Sequence, residues 1–213
     1  MYAVIMAGGV GTRFWPRSRL KRPKQLLSIF EQNTLIQSTA NRLKNLVDDK
    51  DIFVVTTKPQ TEELKEQLPF IDSKNIIVEP KGKNTAPCIG LAAIMLKQLD
   101  PDAVMAILPA DHKIEKASKF REVLAAAEQF ALKKDCLVTI GIHPTYPSTG
   151  YGYIQYNGKE DEINNIPVYS VKTSTTYRFT VSKLSLKNLI LKLLKDLFKA
   201  EIFCGIAECS FGK

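Results

Sequence analysis

Short apolar segments alternate with longer amphipathic segments along most of the chain. The apolar segments are rich in branched side chains and end at glycine, proline or polar residues, and they cover residues 2–7, 52–56, 75–79, 103–108 and 136–141. The intervening segments repeat apolar residues at helical spacing, over 34–46, 61–68, 86–99 and 119–133. Strands that are apolar on both faces and joined by helices are typical of parallel sheets. The pattern predicts an α/β fold with a mostly parallel sheet covered by helices on both faces.

Composition narrows the classes of partner. The 213 residues include 30 Lys+Arg and 22 Asp+Glu, a net charge of +8. The lysines are scattered without an aromatic-interleaved basic stripe, so we expect no nucleic-acid partner, whereas an anionic small ligand would also use the charge. No apolar run reaches the roughly 18 residues of a membrane span, and no basic stretch precedes the first apolar segment. We therefore expect no membrane partner and a cytoplasmic location.

In parallel sheets, ligands bind outside the carboxyl ends of the strands, which directs attention to the loops there. The first loop, residues 8–25, reads GGVGTRFWPRSRLKRPKQ. Its glycines allow backbone N–H groups to curl around an anion, and Arg13 and Lys24 supply charge for phosphate oxygens. The spacing fits neither a P-loop nor the G-x-G-x-x-G fingerprint. A tight turn with FWP at 14–16 packed as a hydrophobic plug is the alternative.

Three further loops each allow a structural and a functional interpretation. In EPKGKNTAP, residues 79–87, Asn84 or Thr85 is a candidate helix N-cap. Asp111 follows a predicted strand, where it either occupies a turn or holds Mg²⁺ against a triphosphate. The segment TGYGY at 149–153 forms either a β-turn or a close backbone approach to a ligand.

The first loop as a whole resembles the signature of the sugar-nucleotide pyrophosphorylases, G-G-x-G-T-R followed about a dozen residues later by P-K. FWP at 14–16 and PKQ at 23–25 are similar to the mannose-1-phosphate guanylyltransferase branch of that family. The other three loops carry the same resemblance. It implies a Rossmann-like nucleotidyltransferase domain that uses Mg²⁺ and converts GTP and mannose 1-phosphate into GDP-mannose and pyrophosphate. A homo-oligomer is compatible with the sequence.

The resemblance also implies a role for each matching residue. Arg13 and Lys24 would be catalytic, Arg13 holding the leaving pyrophosphate and Lys24 neutralising charge on the α-phosphate or the attacking phosphate. Asp111 would anchor Mg²⁺, and Gly150 and Tyr151 would bind the sugar. The remaining matches would bind the nucleotide, namely Gly8, Gly9, Gly11, Thr12, Glu79, Asn84, Thr85 and Ala86.

The resemblance stops near residue 170. The family continues with E-K-P and W-N-S-G-M-F segments, whereas residues 181–213 read VSKLSLKNLILKLLKDLFKAEIFCGIAECSFGK. Reading 184–213 in a shifted frame, with a choice among synonymous codons, permits FVEKPNLEIAKRFIQSGNFLWNSGMFIWK. We expect 1–172 to be the GTP-binding nucleotidyltransferase part and 173–213 to be an out-of-frame tail that leaves the C-terminal part of the fold incomplete. A genuine basic amphipathic helix is the alternative.

The missing family segments carry a second carboxylate for Mg²⁺ and the mannose-binding residues. We therefore expect weak or absent turnover from this chain alone. Two other functions stay open, a pyrophosphorylase for another sugar 1-phosphate or nucleotide, and a non-catalytic nucleotide-binding regulatory subunit that pairs with an active homologue.

Overall fold

The computed structural model describes residues 1–9, 15–19, 22–82, 84–134, 136–143, 146, 152–176 and 206–209. The chain divides into two compact units, Met1–Ile114 and Glu115–Lys213. The first unit contains strands β1 (Tyr2–Met6), β2 (Ile52–Thr57), β3 (Ile76–Glu79) and β4 (Met105–Pro109) and helices α1 (Leu35–Leu43), α2 (Thr61–Gln67) and α3 (Thr85–Leu99). The second contains helix α4 (Ala117–Lys134) and strands β5 (Thr139–Ile142), β6 (Gly152–Ile163), β7 (Ile166–Thr176) and β8 (Ile206–Cys209).

The first unit is built on a parallel sheet with strand order β3-β2-β1-β4. In the central strand β1, Val4 pairs with Phe53 of β2 and with Ile107 of β4. Val4 and Ile5 are fully buried although their side chains point to opposite faces of the sheet. Burial on both faces is why these strands are apolar throughout, and the predicted α/β fold with a mostly parallel sheet is confirmed.

Helix α1 shows how local sequence sets the element boundaries in the first unit. The Thr34 hydroxyl accepts a hydrogen bond from the Gln37 N–H, and the Gln37 side chain accepts one from the Thr34 N–H, which forms a capping box. The apolar residues Leu35, Ile36 and Leu43 are buried. The helix ends at Leu43, short of the predicted residue 46, and Asn45 has a left-handed φ of 69°.

The second unit contains a mixed sheet with strand order β5-β8-β7-β6. Strands β6 and β7 form an antiparallel hairpin whose turn residues, Asn164 and Asn165, both have positive φ, as two-residue hairpin loops require. The strand predicted at 136–141 is found as β5, in this mixed sheet rather than the parallel one. Helix α4 packs on the core of the second unit, where Phe130 and Val168 belong to one cluster of buried residues.

Among the described residues, every helix is too short or too polar to span a bilayer. The basic segment at 184–198, the subject of the amphipathic-helix alternative, lies outside the described residues.

Candidate functional site

Four of the predicted site residues follow or end strands at one edge of the parallel sheet. Gly8 and Gly9 come just after β1, Glu79 is the last residue of β3, and Asp111 comes two residues after β4. Because the strands are parallel, their carboxyl ends share one edge of the sheet. The topology therefore collects residues from the ends of three separate strands at the edge where such sheets bind ligands.

Lys24 connects the first loop to the loop that follows β4. It begins a short 3₁₀ turn, Lys24–Leu26, and its Nζ lies 2.9 Å from Asp111 Oδ2. The Lys24 side chain is 24% exposed and that of Asp111 is 42% exposed, so solvent and ligands can reach the pair. The residue predicted to neutralise phosphate charge and the residue predicted to anchor Mg²⁺ are thus in direct contact.

Two residues of α1 hold the backbone on either side of Asp111. Thr39 Oγ1 donates to the Ala110 carbonyl at 3.3 Å, and Arg42 Nη2 donates to the His112 carbonyl at 3.1 Å. Arg42 Nη2 also donates to Thr39 Oγ1 at 2.7 Å. Thr39 and Arg42 were not predicted from the sequence, although an arginine on the apolar face of a predicted amphipathic helix was the available signal.

Burial and neighbouring charges shift the pKa values of Arg42 and His112. Burial lowers the pKa of the Arg42 guanidinium, and the charge of Glu31 partly opposes that shift. The pKa of His112 is lowered because its ring is partly desolvated and stands near the cations Arg42 and Lys24, against the opposing effect of Asp111. A lowered pKa keeps His112 neutral near pH 7.

Glu79 is a buried carboxylate that lies against the glycine turn. A Cβ added to Gly8 would lie 2.7 Å from Glu79 Oε2, so any other residue at this position would displace the end of the Glu79 side chain. Within the described ranges no residue donates a hydrogen bond to the Glu79 carboxylate, and burial raises its pKa. Burial and the charge of Glu79 also raise the pKa of the Cys88 thiol to about 12. Glu79 is therefore an acceptor that its described neighbours leave unused.

The amino terminus of α3 stands beside this carboxylate in sequence and is open to solvent. Of the two candidates, Asn84 is the N-cap residue of α3, but its side chain makes no capping hydrogen bond. Its backbone has φ 69° and ψ −169°, a region that almost only glycine adopts. Thr85 and Ala86, the first two helical residues, are exposed. The N–H groups of a helix's first turn have no partner within the helix and favour acceptor atoms.

The remaining predicted site residues, Gly11, Thr12, Arg13, Gly150 and Tyr151, lie outside the described residues. In the part of the chain that the structure describes, no group of three or more His, Cys, Asp or Glu side chains could hold a metal ion. Asp111 alone offers one carboxylate, which fits an ion that takes its other ligands from phosphate oxygens and water, as Mg²⁺ commonly does.

Residues 2–167 match the family profile described as nucleotidyl transferase. The chain belongs to this family. Among curated proteins, a mannose-1-phosphate guanylyltransferase of Escherichia coli is 45% identical over 154 residues, which are 71% of this chain and 32% of that protein. A second one from the same species is 39% identical over 178 residues, 82% of this chain and 37% of that protein. The chain thus spans about a third of the length of these nucleotidyl transferase relatives.

Solved structures show the same fold. A crystal structure from Thermus thermophilus, described as a mannose-1-phosphate geranyltransferase, aligns with a TM-score of 0.77 at 24% identity and covers 99% of this chain and 74% of the other. A glucose-1-phosphate thymidylyltransferase described as putative, from Bacillus anthracis, aligns with a TM-score of 0.60 at 17% identity, covering 99% of this chain and 87% of the other. Both agree with a nucleotidyl transferase fold.

Proposed function

We propose that this chain carries the nucleotide-binding part of a mannose-1-phosphate guanylyltransferase, which forms GDP-mannose and pyrophosphate from GTP and mannose 1-phosphate. The relatives that support this carry that name and are 39% and 45% identical over the aligned segments. The observation that carries the choice of nucleotide is Glu79, a buried carboxylate with no described hydrogen-bond donor, set against the glycine turn.

The chemistry asks the protein for positioning and charge. A phosphate oxygen of mannose 1-phosphate attacks the α-phosphorus of GTP, and the bond between the α-phosphorus and the bridging oxygen breaks as pyrophosphate leaves. The attacking phosphate is already an anion at neutral pH, so no general base is needed. Backbone N–H groups of the first loop, from Gly8 to Thr12, hold the phosphates together with Arg13.

Lys24 and Asp111 supply the charges at the reacting end of the nucleotide. Asp111 would hold Mg²⁺, which would supply neutralisation of phosphate charge when bound. Lys24 then exchanges the Asp111 carboxylate for a substrate phosphate oxygen, on the α-phosphate or on the attacking phosphate. The present ion pair keeps the ammonium at this edge before substrate arrives.

Glu79 explains a preference for guanine. The guanine edge presents two adjacent donors, N1–H and the N2 amino group, and an ionised carboxylate accepts both. Uracil and thymine offer a single N3–H between two carbonyls that would repel the carboxylate. Adenine offers an amino donor beside a ring nitrogen acceptor. The first turn of α3, with Asn84, Thr85 and Ala86, borders the base and ribose. The resemblance to the family assigns sugar binding to Gly150 and Tyr151.

The test is calorimetric titration of the 213-residue chain with GTP, UTP, dTTP and ATP in the presence of Mg²⁺. We expect GTP to bind most tightly and Glu79→Gln to lose most of that preference. Glu62→Gln, on the exposed face of α2, is the matched control and should keep it. Equal binding of all four nucleotides by the unmodified chain would contradict a guanylyltransferase and favour another pyrophosphorylase. Selective GTP binding, with GDP-mannose formation only when the chain is mixed with an active homologue, would indicate a nucleotide-binding subunit.

A further inference from the structure

The 3₁₀ turn Lys24–Leu26 carries a second side chain toward the glycine loop. Gln25 follows Lys24 directly and is buried, with 5% of its surface exposed. Its amide Nε2 lies 2.6 Å from the carbonyl oxygen of Ala7 and 3.1 Å from that of Gly9. One buried amide therefore donates to two backbone carbonyls at the start of the loop that the proposed function assigns to phosphate.

The two N–H donors of this amide are shared with a third acceptor. Gln25 Nε2 also lies 3.1 Å from Gln60 Oε1, in the segment that follows β2. The same Gln60 oxygen accepts a hydrogen bond from Thr56 Oγ1 at 3.3 Å, and both residues are buried. The Gln25 amide is thus held from the β2 side through Gln60 as well as by the loop carbonyls it contacts.

We propose that Gln25 is a positioning residue for phosphate binding, because it turns the carbonyls of the glycine loop away from the ligand. This inference rests on the proposed function. In a planar trans peptide, the C=O and the following N–H point in opposite directions. Holding the Ala7 carbonyl toward Gln25 therefore directs the Gly8 N–H to the other side. Without this contact, the carbonyl oxygens are free to rotate toward the site and repel an anion.

The role predicts a selective loss. Gln25 acts on the phosphates only through the loop backbone. Glu79 lies against Gly8 from β3 and does not depend on Gln25 for that contact. Removing the Gln25 amide should weaken binding of the phosphate part of the nucleotide and leave binding of the base nearly unchanged. A residue that served only general stability would affect both parts equally.

The experiment compares the Kd of tripolyphosphate, GTP and guanosine for the full chain and for Gln25→Met, which has similar size and no donor. We expect about tenfold weaker binding of tripolyphosphate and GTP, the effect of losing one well-placed hydrogen-bonded contact. Guanosine has no phosphate, so its Kd for the variant should stay within about twofold of its Kd for the unmodified chain. Gln25→Asn, whose amide is one methylene shorter, should show the same selectivity if Gln25→Met fails to fold.

Asn75 offers a matched control. Its buried Nδ2 also donates to two backbone carbonyls, those of Lys50 at 2.8 Å and Ile52 at 3.1 Å, but at the amino end of β2. Asn75→Leu should lower thermal stability and leave all three affinities unchanged. The inference is overturned if a folded Gln25 variant binds tripolyphosphate as tightly as the unmodified chain, or loses guanosine affinity to the same extent. If the unmodified chain binds none of the three, the proposed function itself is wrong and this inference fails with it.

Discussion

Lys24 Nζ and Asp111 Oδ2 lie 2.9 Å apart although the two residues are 87 positions apart in the sequence. Both side chains are partly exposed, and ion pairs in such positions contribute only about 1 kcal/mol or less. A cation bound to Asp111 or an anion bound to Lys24 can therefore replace this contact at little cost. The pair joins two groups that the proposed function assigns to ligands of opposite charge.

This relationship predicts that Asp111→Asn changes triphosphate affinity in opposite directions with and without Mg²⁺. In EDTA the variant should bind GTP more tightly than the unmodified chain, because a repelling carboxylate is removed and Lys24 loses its competing partner. With Mg²⁺ in excess, the variant should bind GTP more weakly, because the ion loses its protein ligand. Calorimetric titration under both conditions measures the two effects.

Asp48→Asn is the control for this sign change. Asp48 forms an ion pair with Lys50, and both side chains are largely exposed. Its variant should bind GTP like the unmodified chain under both conditions. A loss of affinity in EDTA that equals the loss in Mg²⁺ would show that Asp111 holds the fold and has no role in binding metal.

A second prediction concerns Lys24 alone. Lys24→Ala should weaken GTP binding by roughly 10- to 100-fold, because a hydrogen bond to a charged group contributes about 1.5–3 kcal/mol. The same titration measures this effect. Lys65→Ala, which removes an exposed lysine paired with Glu62 on α2, should leave the affinity unchanged. If both variants bind GTP with equal affinity, Lys24 takes no part in nucleotide binding.

The alternation of apolar and amphipathic segments was enough to predict the parallel sheet. Because β1 is buried on both faces, its residues must be apolar along the whole strand. The loops that hold Glu79 and Asp111 were found because composition changes abruptly after each strand. Thr39, Arg42 and Gln25 were missed because their roles depend on tertiary contacts with backbone carbonyls far along the chain.

Local sequence patterns also fail to show an unusual backbone conformation or the partner of a strand. Asn84 and Thr85 were both candidates for the N-cap of α3, and Asn84 holds that position, but with a positive φ and no side-chain capping hydrogen bond. The segment 136–141 was assigned to the same strand pattern as β1 to β4, because periodicity does not reveal the partner of a strand. In the structure that partner is β8, in the mixed sheet.

Glu79→Gln should raise thermal stability at neutral pH while it lowers GTP affinity. Burial raises the pKa of Glu79 above its usual 4.5, so the folded state binds the proton more tightly than the unfolded state. The resulting stabilisation is present below that usual value and is lost as the pH rises through the raised one. Melting curves from about pH 4 to about pH 8, which bracket that titration, should show this loss in the unmodified chain and a smaller one in Glu79→Gln. Identical pH profiles would show that Glu79 is fully solvated.

Gly8→Ala tests the contact between the glycine turn and the carboxylate. The new Cβ would lie 2.7 Å from Glu79 Oε2, which forces the carboxylate to move. We expect weaker GTP binding and lost preference over UTP. Gly90→Ala is the control, because its added Cβ meets no atom within 4 Å in the described structure and lies within α3. It should keep GTP affinity and raise stability by about 1 kcal/mol. If Gly8→Ala keeps the preference for GTP over UTP, Glu79 does not recognise the base.

Asn84→Gly should raise the free energy of unfolding, which tests whether the backbone at the start of α3 is strained. Asparagine at φ 69° and ψ −169° occupies a region that costs about 1–3 kcal/mol for residues with a Cβ. Glycine removes this cost, and the loss of the side chain removes no capping hydrogen bond. Chemical denaturation of Asn84→Gly and Asn84→Ala measures the two effects, and the alanine variant should show no gain. Asp72→Gly provides the opposite sign, because Asp72 has φ −59° and its side chain accepts a hydrogen bond from the Lys74 N–H at 3.1 Å. If Asn84→Gly is less stable than the unmodified chain, the asparagine side chain stabilises the helix start after all, and the strain argument is wrong.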